Sequence, residues 1–136
     1  MAIREFVMPD KPSREPARDP QDLERLLVSR QRAGDVEGMV ALFEADAVVD
    51  SSDGRLTRGH EAIRAFFAEQ VAAGRKFQIG EQRPALVSGD LALTSTRLPD
   101  GSVTSEVARR QAATHCQGRF LPFRFYEIRR SKCVAP

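Results

Sequence analysis

The sequence is poor in the side chains that build metal and redox sites. It has two cysteines and two histidines among 136 residues. Cys116 and Cys133 match no zinc or redox spacing, so we interpret them as free thiols, with a disulfide between them as the alternative. His60 and His115 lie far apart, and neither is flanked by a cluster of ligating residues. No metal site and no cofactor are therefore expected.

Long apolar runs are also missing. No stretch approaches the roughly 18–20 unbroken apolar residues that span a bilayer, and the opening segment, MAIREFVMPDKPSREP, carries charges throughout. A membrane segment and a secretory signal are therefore not expected, and a cytoplasmic location is the default. The sequence also contains no glycine-rich phosphate loop, no nucleophile elbow and no metal-binding signature.

The remaining composition is typical of a soluble globular domain. Hydrophobic residues make up 41% and charged residues 29% of the sequence. A chain of 136 residues is long enough for one domain whose core needs no disulfide or metal.

The formal charge of +2 hides an uneven distribution. Residues 1–106 contain 14 Lys and Arg against 18 Asp and Glu, whereas residues 107–136 contain 7 against 1. A basic segment of this kind can bind nucleic acid or an acidic partner. Here the arginines alternate with apolar residues, as on the solvated face of a strand. Nucleic-acid binding is therefore kept only as the weakest of three functional hypotheses.

Apolar spacing predicts three helices in the first half of the chain. The first begins at Asp19, whose carboxylate suits an N-cap, and ends at Gly34. The second begins at Asp35 and carries one apolar stripe as far as residue 43. The third covers residues 59–71 and is closed by Gly74.

A change of period predicts the sheet. One short strand is expected at residues 47–50, before a turn at 51–54. After Gly74 the apolar period changes from about 3.6 to 2, which is the signature of strands. The strands are predicted near residues 76–79, 85–87, 91–94, 102–110 and 120–128, the last interrupted by Pro122.

Helices collected on one side of an antiparallel sheet make an α+β fold. We predict a cone-shaped, strongly curved antiparallel sheet with three N-terminal helices around a pocket of small-molecule size. The single domain is expected over residues 19–130, with a flexible arm at 1–18 and a C-terminal tail at 131–136.

Three segments of the chain resemble a known family. Residues 33–43, AGDVEGMVALF, and residues 46–50, DAVVD, resemble the opening of SnoaL-like proteins. Residues 58–67, RGHEAIRAFF, resemble the start of that family's third helix, and residues 87–93, VSGDLAL, resemble its central hairpin. The family belongs to the nuclear transport factor two-like superfamily, with its cystatin-like roll, which also contains the ketosteroid isomerases. The resemblance runs from about Asp19 to Gln111.

The resemblance implies where catalytic groups would stand. Ketosteroid isomerases use a carboxylate base after the first strand, and an oxyanion pair made of a first-helix tyrosine and a protonated acid on a late strand. Here the tyrosine position is Leu27, the base position is Ser51 with Asp50 one residue early, and Glu106 lies near the late acid. A shift of one residue on a strand turns a side chain to the opposite face. The resemblance therefore argues against ketosteroid isomerase activity itself.

Glu106 is the first candidate catalytic residue. Strand alternation places it on one face with Thr104 and Ala108. A lone carboxylate on a concave wall would have a raised pKa and would act as acid, base or hydrogen-bond donor. The alternatives are that this face is solvated, or that Glu106 pairs with Arg97 or Arg110 across strands.

Asp50 is the second candidate, as a base if the strand register permits. The alternative is that Asp50 bonds its own backbone in the turn that follows. His60 is a weaker candidate, because a polar residue at the start of a helix commonly satisfies backbone groups there.

Apolar and aromatic side chains are candidates for lining the pocket. Simple core packing is the alternative for each, because a domain of this size buries several such residues whether or not it binds a ligand. The predicted lining residues are Leu27, Phe43, Phe66, Phe67, Leu93, Ala108, Phe123, Phe125 and Tyr126.

The sequence thus supports two main functions. In the first, the chain binds a hydrophobic carbonyl compound and moves a proton on it without a cofactor, as an isomerase, cyclase or hydrolase-type enzyme using Glu106 or Asp50. In the second, the same fold is a non-catalytic dimerisation or protein-interaction module, which the absent tyrosine and displaced aspartate favour. A homodimer is expected, because the exposed sheet faces of such folds usually need cover.

Overall fold

The chain is described over residues 14–51, 54–112 and 123–131 of a computed structural model. His115, Cys116, Pro122 and Cys133 lie outside these residues, as do most of the predicted arm and most of the predicted tail. Among the residues that are described, none of the helices combines the length and the apolar character needed to cross a membrane.

The described residues form three helices and a seven-stranded sheet. The helices are α1 (Asp22–Arg32), α2 (Val36–Val40) and α3 (Gly59–Ala72). The strands are β1 (Phe43–Asp50), β2 (Leu56–Arg58), β3 (Glu81–Gln82), β4 (Leu86–Ser88), β5 (Leu91–Arg97), β6 (Val103–Arg110) and β7 (Phe123–Ser131).

The helix ends follow local rules, with one exception. Gly34 and Gly74 adopt φ values of +72° and +71° after α1 and α3, which glycine reaches without a Cβ clash. The Asp35 side chain accepts a hydrogen bond from the Gly38 backbone N at 3.0 Å and caps α2, as predicted. The predicted cap at Asp19 is wrong: Asp22 accepts from the backbone N of Asp19 instead, also at 3.0 Å.

The sheet is curled and mixed. Its strand order is β2-β1-β7-β6-β5-β3, and β4 also pairs with β5. The α+β class is confirmed, with one difference from the predicted pairing: β1 lies parallel to β7, whereas the other pairs are antiparallel. The parallel pair joins segments that are remote in sequence and brings the first strand beside the last.

The inner face of the sheet packs against α1 and α3. Alternating residues of β5 and β6 are buried on this face, including Ala92, Thr94, Glu106 and Ala108. The hydrophobic core also draws on α1, α2 and β1, through Leu23, Leu26, Leu27, Met39, Val40, Phe43 and Ala47. The buried face therefore combines an apolar core with polar side chains.

Residues 75–80 form no regular structure, so the strand predicted near residues 76–79 is wrong. The reason is that the Gln31 side chain makes hydrogen bonds with backbone groups that would otherwise pair with a neighbouring strand. Gln31, 1% exposed on α1, donates from Nε2 to the Arg75 carbonyl and accepts at Oε1 from the Phe77 backbone N at 2.9 Å. The Arg32 guanidinium also donates to the Phe77 carbonyl at 3.1 Å. These bonds hold residues 75–80, which connect α3 to β3, against the C-terminal end of α1.

We expect Gln31→Leu to lower the free energy of unfolding by about 2–4 kcal/mol, because the Arg75 carbonyl and the Phe77 N–H lose their partner in a partly buried place. Urea unfolding measures the loss. Gln21→Leu is the matched control, since Gln21 donates to the Arg83 carbonyl at 2.8 Å in an exposed setting. It should cost less than about 1 kcal/mol. Equal losses in the two variants would contradict the assigned role of Gln31.

Candidate functional site

A cavity of about 440 Å³ opens between the inner face of the sheet, α1, α3 and the connection after α3. This volume is in the range of small-molecule sites, about 300–1,000 Å³. Its lining combines polar, aromatic and basic side chains: Glu24, Leu27, Val49, Ser51, Phe66, Phe67, Gln70, Arg75, Lys76, Phe77, Gln78, Leu98, Asp100, Thr104, Glu106 and Ile128.

Glu106 lies at the polar inner end of the cavity. It is 0% exposed, and it faces Thr94 directly across the β5–β6 ladder. The Thr94 hydroxyl donates to Oε2 of Glu106 at 2.8 Å. Burial raises the pKa of Glu106, and the hydrogen bond that its carboxyl group accepts from Thr94 opposes that rise. The predicted alternatives, a solvated face or an ion pair with Arg97 or Arg110, do not describe this position.

Three buried oxygens on the facing parts of β5 and β6 have no hydrogen-bond partner among residues 14–51, 54–112 and 123–131. They are Glu106 Oε1, Thr96 Oγ1 and Thr104 Oγ1. Two of them belong to Glu106 and Thr104, which line the cavity. An unpartnered buried polar atom costs about 1–3 kcal/mol. A bound molecule that offers complementary groups would recover this free energy, so the inner end is suited to a polar part of a ligand.

Glu24 on α1 is the second carboxyl group in the lining. Burial raises its pKa to about 7, and the negative charge of Glu106 adds to the rise. Glu24 was not among the site residues predicted from the sequence. The available signal was its place one helical turn before Leu27, which puts both side chains on the same face of α1.

Glu24 also borders a second space on the outside of α1. This groove, of about 490 Å³, lies between α1 and the chain around Ile79–Gln82. Glu24 therefore borders both the groove and the cavity.

Aromatic side chains form the apolar wall of the cavity. The ring centroids of Phe66 and Phe67 lie 5.3 Å apart, and those of Phe67 and Phe77 lie 6.1 Å apart. Such tilted and edge-on contacts fix the rings relative to one another. The wall offers a rigid apolar surface to the body of a ligand.

The predicted lining residues divide into three groups. Leu27, Phe66 and Phe67 line the cavity. Four others are buried in the core instead: Phe43, Ala108, Phe123 and Phe125.

Leu93 and Tyr126 lie on the outside of the sheet, contrary to the expectation for both. Leu93 is 46% exposed because strand alternation turns its neighbours Ala92 and Thr94 inward. Tyr126 is 36% exposed, and the Arg109 guanidinium lies 4.8 Å from its ring centroid.

Asp50 and His60 do not line the cavity. On β1, Val49 points inward and Asp50 to the other face, where it pairs in the ladder with Leu56 and Arg129. The His60 ring bonds the Phe43 carbonyl at 2.8 Å through Nε2, which is a structural contact. Of the two predicted catalytic residues, the cavity thus contains Glu106 alone.

The chemistry available here is that of Glu24 and Glu106, the two carboxyl groups of the lining whose pKa values are raised by burial. Among the described parts of the chain, no group of three His, Cys, Asp or Glu residues is arranged to hold a metal ion. Both carboxyl pKa values are raised, and like charges in one cavity cannot both form cheaply. The negative charge of Glu106 raises the pKa of Glu24, so the ionisation of one group disfavours that of the other. A protonated carboxyl group can donate a hydrogen bond, whereas an ionised one only accepts.

Sequence comparison identifies a matching family. Residues 23–120 match the SnoaL-like domain, which is more than half of the chain. Among curated proteins, no sequence matches.

Several solved structures share the fold at low sequence identity. A candidate calcium/calmodulin-dependent protein kinase type II association domain from Thiobacillus denitrificans has a TM-score of 0.69 at 14% identity, covering 88% of this chain and 98% of that one. A nuclear transport factor two-like protein with a cystatin-like fold from Novosphingobium aromaticivorans has a TM-score of 0.65 at 18% identity, with coverages of 85% and 80%. A candidate dehydratase of the same family from Streptomyces avermitilis has a TM-score of 0.61 at 14% identity, with coverages of 85% and 94%.

We expect Glu24→Gln to stabilise the chain at alkaline pH and to leave it unchanged at acidic pH. The pKa of Glu24 is raised from 4.5 to about 7. Between these two pH values the folded chain keeps a proton on Glu24 that the unfolded chain has released. The stability linked to Glu24 therefore falls as pH rises. Glutamine removes this loss, which is worth about 1–3 kcal/mol at about pH 8 and nothing at about pH 4.

Urea unfolding at a series of pH values measures the difference. Glu69→Gln removes an exposed carboxylate from α3 and serves as the control for loss of one charge. A gain for Glu24→Gln that does not grow with pH beyond that of the control would contradict the assignment.

Proposed function

We propose a function from a premise that the sequence match establishes: the chain belongs to the SnoaL-like domain family. Its cavity binds a hydrophobic carbonyl compound and moves a proton on it by acid–base catalysis, without a cofactor. The single observation that carries this proposal is Glu106, a fully buried carboxyl group whose Oε1 has no partner among the described residues and which lines the same cavity as Glu24.

The proposed chemistry needs both carboxyl groups. The ionised one removes a proton from carbon next to the substrate carbonyl, while the protonated one donates a hydrogen bond to the carbonyl oxygen as negative charge develops there. Raised pKa values favour this arrangement, because they bring the ionisation of a carboxyl group closer to neutral pH. Returning the proton at another carbon would complete an isomerisation.

Other reactions of the same type fit the same pair. Dehydration, the activity for which the similar Streptomyces avermitilis protein is a candidate, also combines proton removal with acid assistance to a leaving hydroxide. The pair supports isomerase, cyclase and hydrolase-type reactions equally, so the proposal names the acid–base step and the substrate class.

The proposed functional unit is the single domain over residues 19–130, with 1–18 as an arm and 131–136 as a tail. The family match falls inside this unit. All seven described strands, from β1 to β7, belong to one sheet, which supports a single unit.

A homodimer is the second part of the proposal. The outer face of the sheet carries Leu86, Leu91 and Leu93, which are 69%, 45% and 46% exposed. Leu86 pairs directly with Leu93 across β4 and β5, so these side chains make one apolar surface. The Thiobacillus denitrificans relative in fold is a candidate association domain. If the chain were a non-catalytic module, this apolar surface would be its binding interface.

We expect Glu106→Gln to lower turnover at least a hundredfold on a substrate found by screening hydrophobic ketones and aldehydes by thermal shift. The amide keeps the shape and the hydrogen bond from Thr94 but cannot carry the proton. Glu24→Gln should reduce turnover by a similar factor and change the pH profile.

Two control variants sharpen this test. Asp50→Asn, on the other face of β1, and Glu81→Gln, exposed on β3, should keep the parent turnover. Full activity in Glu106→Gln would remove Glu106 from the mechanism. A lost activity in Asp50→Asn would return the catalytic role to that residue.

We expect Leu93→Lys to convert a dimer into a monomer, because it places a charge in the middle of the apolar surface. Light scattering during size-exclusion chromatography measures the mass. Leu56→Lys is the matched control, since Leu56 is 68% exposed on β2, away from β4 and β5. A parent chain that is monomeric at micromolar concentration would contradict the proposed homodimer.

A further inference from the structure

The mouth of the cavity carries two positive charges that the proposed acid–base step does not use. Arg75 and Lys76, here called the basic rim, both line the cavity and are exposed. They lie on the connection that Gln31 fixes to α1, since Gln31 binds the Arg75 carbonyl and the Phe77 backbone N. The backbone at the rim is thus held in place.

The basic rim has no ion-pair partner within the described parts of the chain. Arg75 donates to the side-chain oxygen of Gln70 at 3.3 Å, and Lys76 donates to the Arg32 carbonyl at 3.3 Å. Both partners are uncharged. Arg25, Arg64 and Arg109 each have a carboxylate within 3.6 Å. The positive charge at the mouth is therefore available to a ligand.

The two ends of the cavity differ in what they accept. At the inner end Glu106 and Glu24 disfavour any further negative charge, because a second anion beside a buried carboxyl group is repelled. At the mouth the basic rim attracts an anion. Besides Glu24 and Glu106, Asp100 is the acidic residue that lines the cavity, and its negative charge opposes this attraction. The rings of Phe66, Phe67 and Phe77 also line the cavity. A ligand with its charge at one end can bind in one orientation only.

We propose that the ligand is an amphipathic anion: an apolar body that carries a hydrogen-bond acceptor at one end and a carboxylate or phosphate at the other. The acceptor lies against the inner carboxyl groups, and the anion lies between Arg75 and Lys76. This inference rests on the proposed use of the cavity as a small-molecule site. It adds the charge and the orientation of the molecule bound there.

The test compares matched anionic and neutral probes by isothermal titration calorimetry at neutral pH. The probes are 4′-acetylbiphenyl-4-ylacetate with its amide and 6-acetyl-2-naphthylacetate with its amide, in which the acetyl group supplies the hydrogen-bond acceptor. The phosphate class is represented by 4′-acetylbiphenyl-4-ylmethylphosphonate. The parent chain should bind each carboxylate about tenfold more tightly than its amide, since two partly exposed charge contacts contribute modestly each. The preference should shrink as salt rises from about 0.05 to about 0.5 M. The tighter of the carboxylate and the phosphonate identifies the anionic group.

Charge-removing variants locate the effect. Arg75→Gln and Lys76→Gln should each reduce the preference about threefold, and the double variant should bind acid and amide equally. Arg83→Gln is the control, because Arg83 is exposed just after β3 and does not line the cavity. Equal binding of acid and amide by the parent chain, or a preference that survives in the double variant, overturns the inference. If neither acids nor amides bind, the proposed small-molecule function fails with it; if the amides bind, that function stands alone.

Discussion

Two glutamates, one on the first helix and one on a central strand, share a cavity that offers their charges little water. Burial raises the pKa of Glu106, and burial together with the charge of Glu106 raises the pKa of Glu24 to about 7. A carboxyl group that has lost its hydration holds its proton until the pH is high enough to remove it. The proposed chemistry of the cavity depends on the burial of these two carboxyl groups.

The rest of the fold keeps these two groups in place. Glu106 is set by the β5–β6 ladder, which puts Thr94 opposite it at hydrogen-bond distance. Glu24 is set by α1, whose end is joined through Gln31 to the connection after α3. Side-chain-to-backbone bonds replace strand pairing there, so the connection can form the mouth of a cavity. A regular strand would continue the sheet over the same space.

Much of the architecture followed from local pattern. The inward face of β6, with Thr104, Glu106 and Ala108, was predictable because a period of two allows only two choices. Glu24 was missed, because a charged residue on an amphipathic helix is usually solvated and only the tertiary structure shows what it faces. Leu93 was predicted to line the cavity because apolar residues usually face inward. On β5 the inner face carries Thr94 and Thr96, and Leu93 lies on the outer face. The parallel pairing of β1 with β7 could not be read from either strand, since it depends on the path of the whole chain.

The most direct test of this account is the titration of the two carboxyl groups themselves. In a chain with carbon-13 glutamate, the side-chain carboxyl shifts are followed by NMR over the acid to alkaline range, and Glu24→Gln and Glu106→Gln assign the signals. We expect Glu24 to titrate near pH 7, and we expect removal of Glu106 to lower this midpoint. Two independent titrations near the ordinary glutamate value of about 4.3 would contradict it.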